Sequence, residues 1–276
     1  MIVAEKFGKV TQIKMGRDYE GRVLYWVAAY LVDSLLIDTG CSYTAEELLE
    51  FLEDKPVKQA FITHYHEDHI GGCALLQEKL NLKIWSNPKS LPLIGNPPPF
   101  YPYQELVWGH PAAAEIEALS GNELTTDLYT FKAVNTPGHS SDHTVLIEPD
   151  QGWCFTGDLF VAEKVKVLRA DENSKEIMES LQKILCFKTN PDLDLTLFTA
   201  LGKVVPRGRK AITSFLYYLG NIQKEAERLQ SEESLNTEET VIKLFGGEST
   251  LTSLTDNHLS CKNLLESLLK NKPAQA

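Results

Sequence analysis

Residues 63–72 read Thr63-His64-Tyr65-His66-Glu67-Asp68-His69-Ile70-Gly71-Gly72, so three histidines and one aspartate lie within six positions. The apolar run 57–62 before them predicts a strand, and residues 68–80 predict a helix. In extended backbone, the side chains of His64 and His66 leave on the same side because the two residues are two positions apart. Imidazole and carboxylate groups bind zinc, iron and manganese, and burying them unpaired is costly. The stretch therefore predicts a metal site at the end of a strand.

Three further motifs extend this pattern along the chain. Upstream, Leu35-Leu36-Ile37-Asp38-Thr39-Gly40 predicts a short strand that ends in a turn. Downstream, Thr136-Pro137-Gly138-His139-Ser140 supplies another histidine, and Phe155-Thr156-Gly157-Asp158-Leu159-Phe160 supplies another aspartate. With the HxHxDH stretch and its Gly-Gly, the four motifs resemble in order and spacing those of the metallo-β-lactamase-fold hydrolases. The resemblance covers most of residues 10–205.

The resemblance implies a metal centre that is built from the histidines and aspartates of these motifs. The first ion would be held by His64, His66 and His139. Asp68 and His69 would face a second ion, and Asp158 would bridge the two. The implied cofactor is zinc, as one or two ions, with iron or manganese as alternatives.

The same resemblance implies how the centre would work. Family members hydrolyse their substrates with a metal-bound hydroxide, and the substrate implied here is a small ester, thioester, amide or lactone. Asp68 would be catalytic, because it would orient that hydroxide and shuttle a proton. Asp38 would accept a hydrogen bond from a ligand histidine and so fix its tautomer.

The sequence departs from the family pattern at one position. Members with two metal ions usually supply a further histidine after a final strand, and Leu201 stands at the corresponding place. The second ion would keep only Asp68, His69 and a share of Asp158, so we expect that site to be weakened, completed by water or empty. His258 and His143 are additional candidate ligands, and His258 is the one that could replace the missing histidine. A hydrogen-bonding role within its own turn is the alternative for His143.

Two other functions stay open on the sequence. Histidine and carboxylate ligands with open positions also suit a mononuclear non-haem iron oxygenase of the same fold. Alternatively, the gap at Leu201 is compatible with a catalytically weakened metal-binding sensor or ligand-binding protein. A phosphodiesterase or nuclease is expected less, because 27 Lys+Arg against 38 Asp+Glu give a net charge of −11, which repels phosphate backbones.

The composition indicates which partners and which cellular location to expect. Because the net charge is −11, we expect a small-molecule substrate and no nucleic acid. We expect no membrane partner, because the N-terminus lacks a signal-peptide pattern and no long apolar run occurs. Five widely spaced cysteines without a CxxC pair predict reduced, structural thiols and a cytoplasmic location. The helices predicted from residue 210 onward would form a cap or a homodimer surface.

The expected architecture is α/β. The resemblance implies a four-layer αββα metallo-β-lactamase sandwich over residues 1–205, and the helical pattern after it predicts a C-terminal extension over 206–276. Within the sandwich, residues 91–109 contain five prolines among aromatic residues, which predicts a surface loop rather than a helix or strand. That loop could act as a lid, or it could be a connector packed down by its aromatic residues.

Overall fold

The computed structural model describes residues 1–270. Contacts divide them into two compact units. The sheet unit comprises Met1–Thr136, Ser141–Val161 and Lys188–Arg207, and the helical unit comprises Pro137–Ser140, Ala162–Phe187 and the described residues from Gly208 onward. The domain limits 1–205 and 206–276 stay a prediction, and residues 271–276 of that predicted extension lie outside the described residues.

The sheet unit is built on two mixed sheets and a two-stranded hairpin. The first sheet has the order β1-β2-β5-β6-β7-β8-β9, the second has the order β10-β11-β12-β13-β15-β16, and β3 pairs with β4. The strands of this unit are β1 (Ile2–Phe7), β2 (Val10–Met15), β3 (Asp18–Tyr19), β4 (Arg22–Val23), β5 (Val27–Val32), β6 (Leu35–Ile37), β7 (Gln59–Ile62), β8 (Lys83–Ser86), β9 (Glu117–Ala118), β10 (Glu123–Thr125), β11 (Thr130–Asn135), β12 (Thr144–Glu148), β13 (Trp153–Gly157), β15 (Thr196–Thr199) and β16 (Val204–Val205), and the helical unit contributes β14 (Leu168–Arg169) and β17 (Leu259–Ser260).

Strand β5 shows how the two sheets share a core. All six of its residues are buried, and alternate side chains enter different clusters. Ala28 and Tyr30 face a cluster that contains Phe155 and Phe198 of the second sheet, and the Tyr30 ring contacts both of these rings at 5.4 Å. The other face packs on Leu48 and further residues of the helices. A strand buried on both faces reads as a continuous apolar run, and it places the first sheet between helices and the second sheet.

The helices of the two units are α1 (Ala45–Leu52), α2 (Glu67–Ile70), α3 (Cys73–Leu80), α4 (Leu91–Gly95), α5 (Pro102–Trp108), α6 (Ser174–Cys186), α7 (Gly208–Glu232), α8 (Thr237–Phe245), α9 (Thr250–Leu254) and α10 (Cys261–Leu269), with 3-10 turns at Ser42–Thr44 and Pro88–Ser90. The single helix predicted over 68–80 is wrong, because Gly71 and Gly72 separate α2 from α3. A Cβ at Gly71 would lie 2.2 Å from the carbonyl carbon of Cys41, so only glycine allows this close approach of two backbones.

The proline-rich segment 91–109 is not the irregular loop that the sequence predicts. It contains α4 and α5, and prolines occupy the first turn of each. Proline is tolerated there because the first N–H groups of a helix have no partner within it. Proline therefore lies at the start of these two helices instead of ending them.

The helical unit contains α6 to α10 and a two-stranded sheet of β14 and β17. One of its hydrophobic clusters joins Ala226 of α7, Val241 of α8, and Cys261 and Leu265 of α10. The Ser260 hydroxyl accepts a hydrogen bond from the backbone N–H of Asn263 and caps α10, so the last helix begins at Cys261. Among the described residues, no helix combines the length and the apolar composition that a membrane crossing needs.

Candidate metal centre

The parallel pairing of β6 and β7 brings two of the sequence motifs together. Ile37 lies opposite Phe61 in this register, and the backbone N–H of Asp38 donates to the Phe61 carbonyl at 2.9 Å. Asp38 itself has φ +61°, a left-handed conformation that aspartate tolerates better than most residues. The chain therefore turns immediately after β6, and the Asp38 side chain meets Thr63 at the end of β7.

Asp38 is buried and accepts three hydrogen bonds through its carboxylate. The Thr63 backbone N–H donates at 2.8 Å, the Thr63 hydroxyl at 2.9 Å and Nδ1 of His69 at 2.8 Å. Since the Thr63 hydroxyl gives its proton to Asp38, it accepts from Nδ1 of His64, which lies 3.0 Å away. Both histidines therefore carry their proton on Nδ1, and Nε2 is the nitrogen with which each would bind a metal ion.

Three side chains of the sheet unit could hold one metal ion together. A ligand atom from each of His64, His69 and Asp158 lies within 4.8 Å of those of the other two. Nε2 of His69 lies 3.7 Å from an Asp158 oxygen and 3.8 Å from an Asp68 oxygen, and within the described residues it makes no hydrogen bond although it is buried. A buried ring nitrogen that faces two carboxylates fits a bound cation, because an unsatisfied buried polar atom is otherwise costly.

The electrostatics of the cluster agree with this interpretation. Burial raises the pKa of Asp68 and the charge of His69 lowers it, but Asp158 and Glu67 raise it further, to about 7. Burial lowers the pKa of His69, yet the charges of Asp38 and Asp68 outweigh it and hold that pKa well above its usual value. Without a cation, the site therefore favours bound protons in the places that a metal ion would neutralise.

His66 is buried beside His64, and the ring centroids are 4.5 Å apart. The residue between them is held by Asp142, whose carboxylate accepts from the Tyr65 backbone N–H at 2.9 Å and from the Ser90 hydroxyl at 2.7 Å. Asp142 is fully buried and fixes the backbone of the HxHxDH stretch. Sequence reasoning missed this role, since 77 residues separate Asp142 from Tyr65.

Both ring nitrogens of His143 make hydrogen bonds, one to the backbone of Asp158 and one to the side chain of Thr136. Its Nε2 accepts from the Asp158 backbone N–H at 3.2 Å, so the proton lies on Nδ1, which is 2.9 Å from the Thr136 hydroxyl. Gly157 allows this contact: its φ is +48°, and a Cβ there would lie 2.7 Å from His143 Nε2 and 2.9 Å from the Thr63 hydroxyl. His143 thus helps to position the backbone of Asp158.

His139 belongs to the helical unit, where it is buried. Its Nδ1 hydrogen-bonds to the Glu172 carboxylate, and the other Glu172 oxygen accepts from the Arg169 backbone N–H at 2.8 Å. A metal ion bound by His139 would therefore be bound through Nε2. Sequence reasoning missed Glu172 as well, because it lies 33 residues away and belongs to no motif.

The two remaining positions of interest lie in different units. His258, in the helical unit, is buried with Nε2 3.4 Å from an Asp171 oxygen. Leu201, in the sheet unit, lies in the turn between β15 and β16, where Gly202 N–H donates to the Thr199 carbonyl at 2.9 Å. Its apolar side chain offers no ligand atom. Replacement of the missing histidine by His258 stays a prediction.

Comparison with known proteins gives the family context. The sequence profile of the metallo-β-lactamase superfamily matches residues 27–242. A probable metallo-hydrolase of Bacillus subtilis is 32% identical over 133 residues, which are 48% of this chain and 59% of that protein. An atrochrysone carboxyl ACP thioesterase of Aspergillus fumigatus is 26% identical over 225 residues, which are 78% of this chain and 65% of that protein. The chain thus spans about three fifths to two thirds of the length of these relatives.

A solved structure supports the same fold. A β-lactamase domain protein from Burkholderia ambifaria has a TM-score of 0.72 at 17% identity, covering 96% of this chain and 86% of that one. At this identity the likeness concerns the fold, and it confirms the α/β metallo-β-lactamase sandwich that the sequence predicts. The profile match extends over more than half of the chain, and its relatives include named hydrolases. The chain belongs to the metallo-β-lactamase superfamily.

Proposed function

We propose that this chain is a metal-dependent hydrolase that cleaves a small ester or thioester, with amides and lactones as related substrates. The observation that carries the proposal is the cluster of His64, His69 and Asp158, whose ligand atoms lie within 4.8 Å of one another. The family resemblance adds His66, Asp68 and His139 to the proposed ligands. Zinc is the proposed metal, with iron or manganese as alternatives.

A divalent cation held by these residues would act as a Lewis acid on a carbonyl oxygen and lower the pKa of a water molecule. The chain's own residues prepare the place for it. Asp38 holds the imidazole of His69 through the 2.8 Å contact with Nδ1, and Thr63 holds His64 through the 3.0 Å contact. These contacts present Nε2 of both rings in fixed orientations, so little rearrangement is needed when the cation binds.

Asp68 is the residue that we assign to proton transfer. It is buried, and its Oδ1 lies 3.8 Å from Nε2 of His69. In the metal-free site, burial and the charges of Asp158 and Glu67 raise the pKa of this carboxyl group, which is the direction that favours proton acceptance. Asp68 would accept a proton from the attacking water at a carboxylate oxygen and return it to the leaving group.

The net charge of the chain and the name of a similar protein support the proposed substrate class. A net charge of −11 disfavours polyanionic substrates such as nucleic acids, which leaves acyl compounds as the better candidates. The Aspergillus relative is named as a thioesterase, and this supports a thioester bond as the first one to test.

The proposal is tested by metal analysis together with a substrate panel. Protein purified without chelators would be assayed on esters, thioesters, amides, lactones and a phosphodiester with added zinc, manganese or iron. We expect acyl substrates to be hydrolysed, and we expect His64→Ala to lose both bound metal and turnover. His110→Ala, at an exposed histidine, is the matched control and should change neither. Absence of turnover with every substrate and metal would refute the proposal, as would full activity of His64→Ala.

A further inference from the structure

Four aromatic side chains of the sheet unit form a row that the proposed hydrolysis does not use. We call Tyr25, Trp108, Tyr103 and Tyr101 the aromatic strip. The Tyr25 and Trp108 rings meet edge to face with centroids 5.5 Å apart, Trp108 and Tyr103 are 6.2 Å apart, and Tyr103 and Tyr101 are 6.1 Å apart. Three of the four belong to α5 or its N-cap, within the proline-rich segment. Tyr25 precedes β5 in sequence.

The strip is fixed to the HxHxDH stretch through α5. Gln104 is buried, and its side-chain amide donates to the Glu67 carboxylate at 2.6 Å, while its oxygen accepts from the Tyr101 backbone N–H at 2.9 Å. Glu67 is itself buried and precedes Asp68 directly. The Tyr43 hydroxyl also donates to the Glu105 carbonyl of α5, at 3.0 Å. Through Glu67, the position of α5 is therefore tied to the residue that directly precedes Asp68 in the HxHxDH stretch.

Tyr25, at one end of the strip, interacts electrostatically with Asp158 and Asp68. Burial raises the pKa of Tyr25, and the charges of Asp158 and Asp68 raise it further. The residue is nevertheless 41% exposed, as Tyr101 is at 42%, so the rings keep surface for another molecule. Trp108 is partly buried and packs against the hydrophobic cluster that contains Leu48. Its indole N–H is buried without an acceptor among the described residues.

We propose that the aromatic strip binds the acyl group of the substrate, and that it selects esters or thioesters whose acyl group carries an aromatic ring. This inference rests on the proposed function. With the scissile carbonyl at the metal centre, the rest of the acyl group extends along Tyr25 and Trp108, where a flat apolar ring gains edge or face contacts. The strip itself contains no cationic side chain, so an anionic acyl group gains nothing comparable there.

The test compares two thioesters with the same leaving group, one 3-phenylpropanoyl and one propanoyl. We expect the wild type to prefer the phenyl compound in kcat/KM, and we expect Tyr25→Leu and Trp108→Leu each to reduce that preference by about tenfold. Tyr25→Phe keeps the ring and should keep the preference. Tyr217→Leu, at a tyrosine of α7 that is 73% exposed, is the matched control and should also leave it unchanged. An unchanged preference in both Leu variants at wild-type metal content would overturn the proposal.

A binding measurement separates this proposal from the hydrolase proposal. 4-Phenyl-2-butanone and 2-butanone keep the carbonyl but cannot be hydrolysed, and their binding can be followed by the fluorescence difference between the wild type and Trp108→Phe. Selective binding of the phenyl ketone, weakened in Tyr25→Leu, supports the strip even if no substrate is turned over. Equal binding of the two ketones overturns the strip even if the propanoyl thioester is hydrolysed. The Tyr25 variants also keep the test valid if Trp108→Leu fails to fold.

Discussion

Substitution of Asp38 by asparagine should disturb the centre without changing the shape of its side chain. In the wild type, Oδ1 accepts from the Thr63 backbone N–H and Oδ2 accepts from both the Thr63 hydroxyl and Nδ1 of His69. An asparagine has one acceptor oxygen, so either of its two orientations leaves an NH₂ group facing an N–H donor. If the NH₂ group faces His69, the ring proton must move to Nε2, and that nitrogen can then no longer bind a metal ion.

The size of the effect follows from the role of the contact. Losing a group that orients a metal-binding histidine typically weakens metal affinity by about 10- to 100-fold, which is about 1.4–2.7 kcal/mol. The backbone does not add to this loss, because asparagine adopts the left-handed conformation at least as readily as aspartate does. The expected loss therefore comes from the hydrogen bonds of the side chain.

The measurement is a zinc titration in competition with a chromogenic chelator. Asp33→Asn is the matched control, because Asp33 also has a left-handed backbone, with φ +54°, and its carboxylate accepts from the Leu128 backbone N–H in a turn. We expect Asp38→Asn to bind zinc about 10- to 100-fold more weakly and Asp33→Asn to bind it like the wild type. If Asp38→Asn binds zinc as tightly as Asp33→Asn, His69 does not bind metal through Nε2 and the reasoning fails.

Three further predictions concern packing, metal content and pH. Gly157→Ala should lower the free energy of unfolding, measured in urea, by about 1–3 kcal/mol more than Gly8→Ala does. Both glycines have positive φ, but only the new Cβ at Gly157 would contact other atoms. Equal losses in the two variants would contradict this. Because Leu201 offers no ligand, metal analysis should find fewer than two tightly held ions per chain, and two would refute the weakened second site. The metal-free protein should lose stability as pH rises from about 5.5 to about 8, because the raised pKa values of Asp68 and His69 mean that the folded state binds more protons than the unfolded chain there. Urea melts at both pH values measure this, and a rise in stability with pH would contradict it.

The sequence predictions for the centre concern residues that lie in compact motifs. His64 and His69 are brought together with Asp158, and Asp38 hydrogen-bonds to a histidine of the HxHxDH stretch as the motif resemblance implies. Such residues can be found because strand ends and short spacings restrict where their side chains point. The ligand roles themselves stay predictions until metal binding is measured.

The sequence could not predict the carboxylates that lie outside the motifs and accept hydrogen bonds from motif residues. Glu172 contacts His139 across 33 residues, and Asp142 contacts Tyr65 across 77. Neither residue belongs to a pattern of local spacing, so only the tertiary arrangement selects them from the other acidic side chains of the chain. The short helices α4 and α5 are not predicted for a different reason: a high proline content generally disfavours helix, but here a proline stands in the first turn of each helix, where it is tolerated.

The register between β6 and β7 explains why two motifs that are distant in sequence act as one unit. Pairing of Ile37 with Phe61 places Asp38 beside Thr63, and the Asp38 carboxylate then accepts from the Thr63 hydroxyl and from His69. Because that hydroxyl donates to Asp38, it accepts from His64, so one carboxylate sets the tautomers of two histidines. A shift of one residue in the pairing would reverse the side-chain alternation and remove this contact. The buried apolar faces of β6 and β7 oppose such a shift. The packing of the first sheet therefore also fixes the side chains at the carboxyl ends of these two strands.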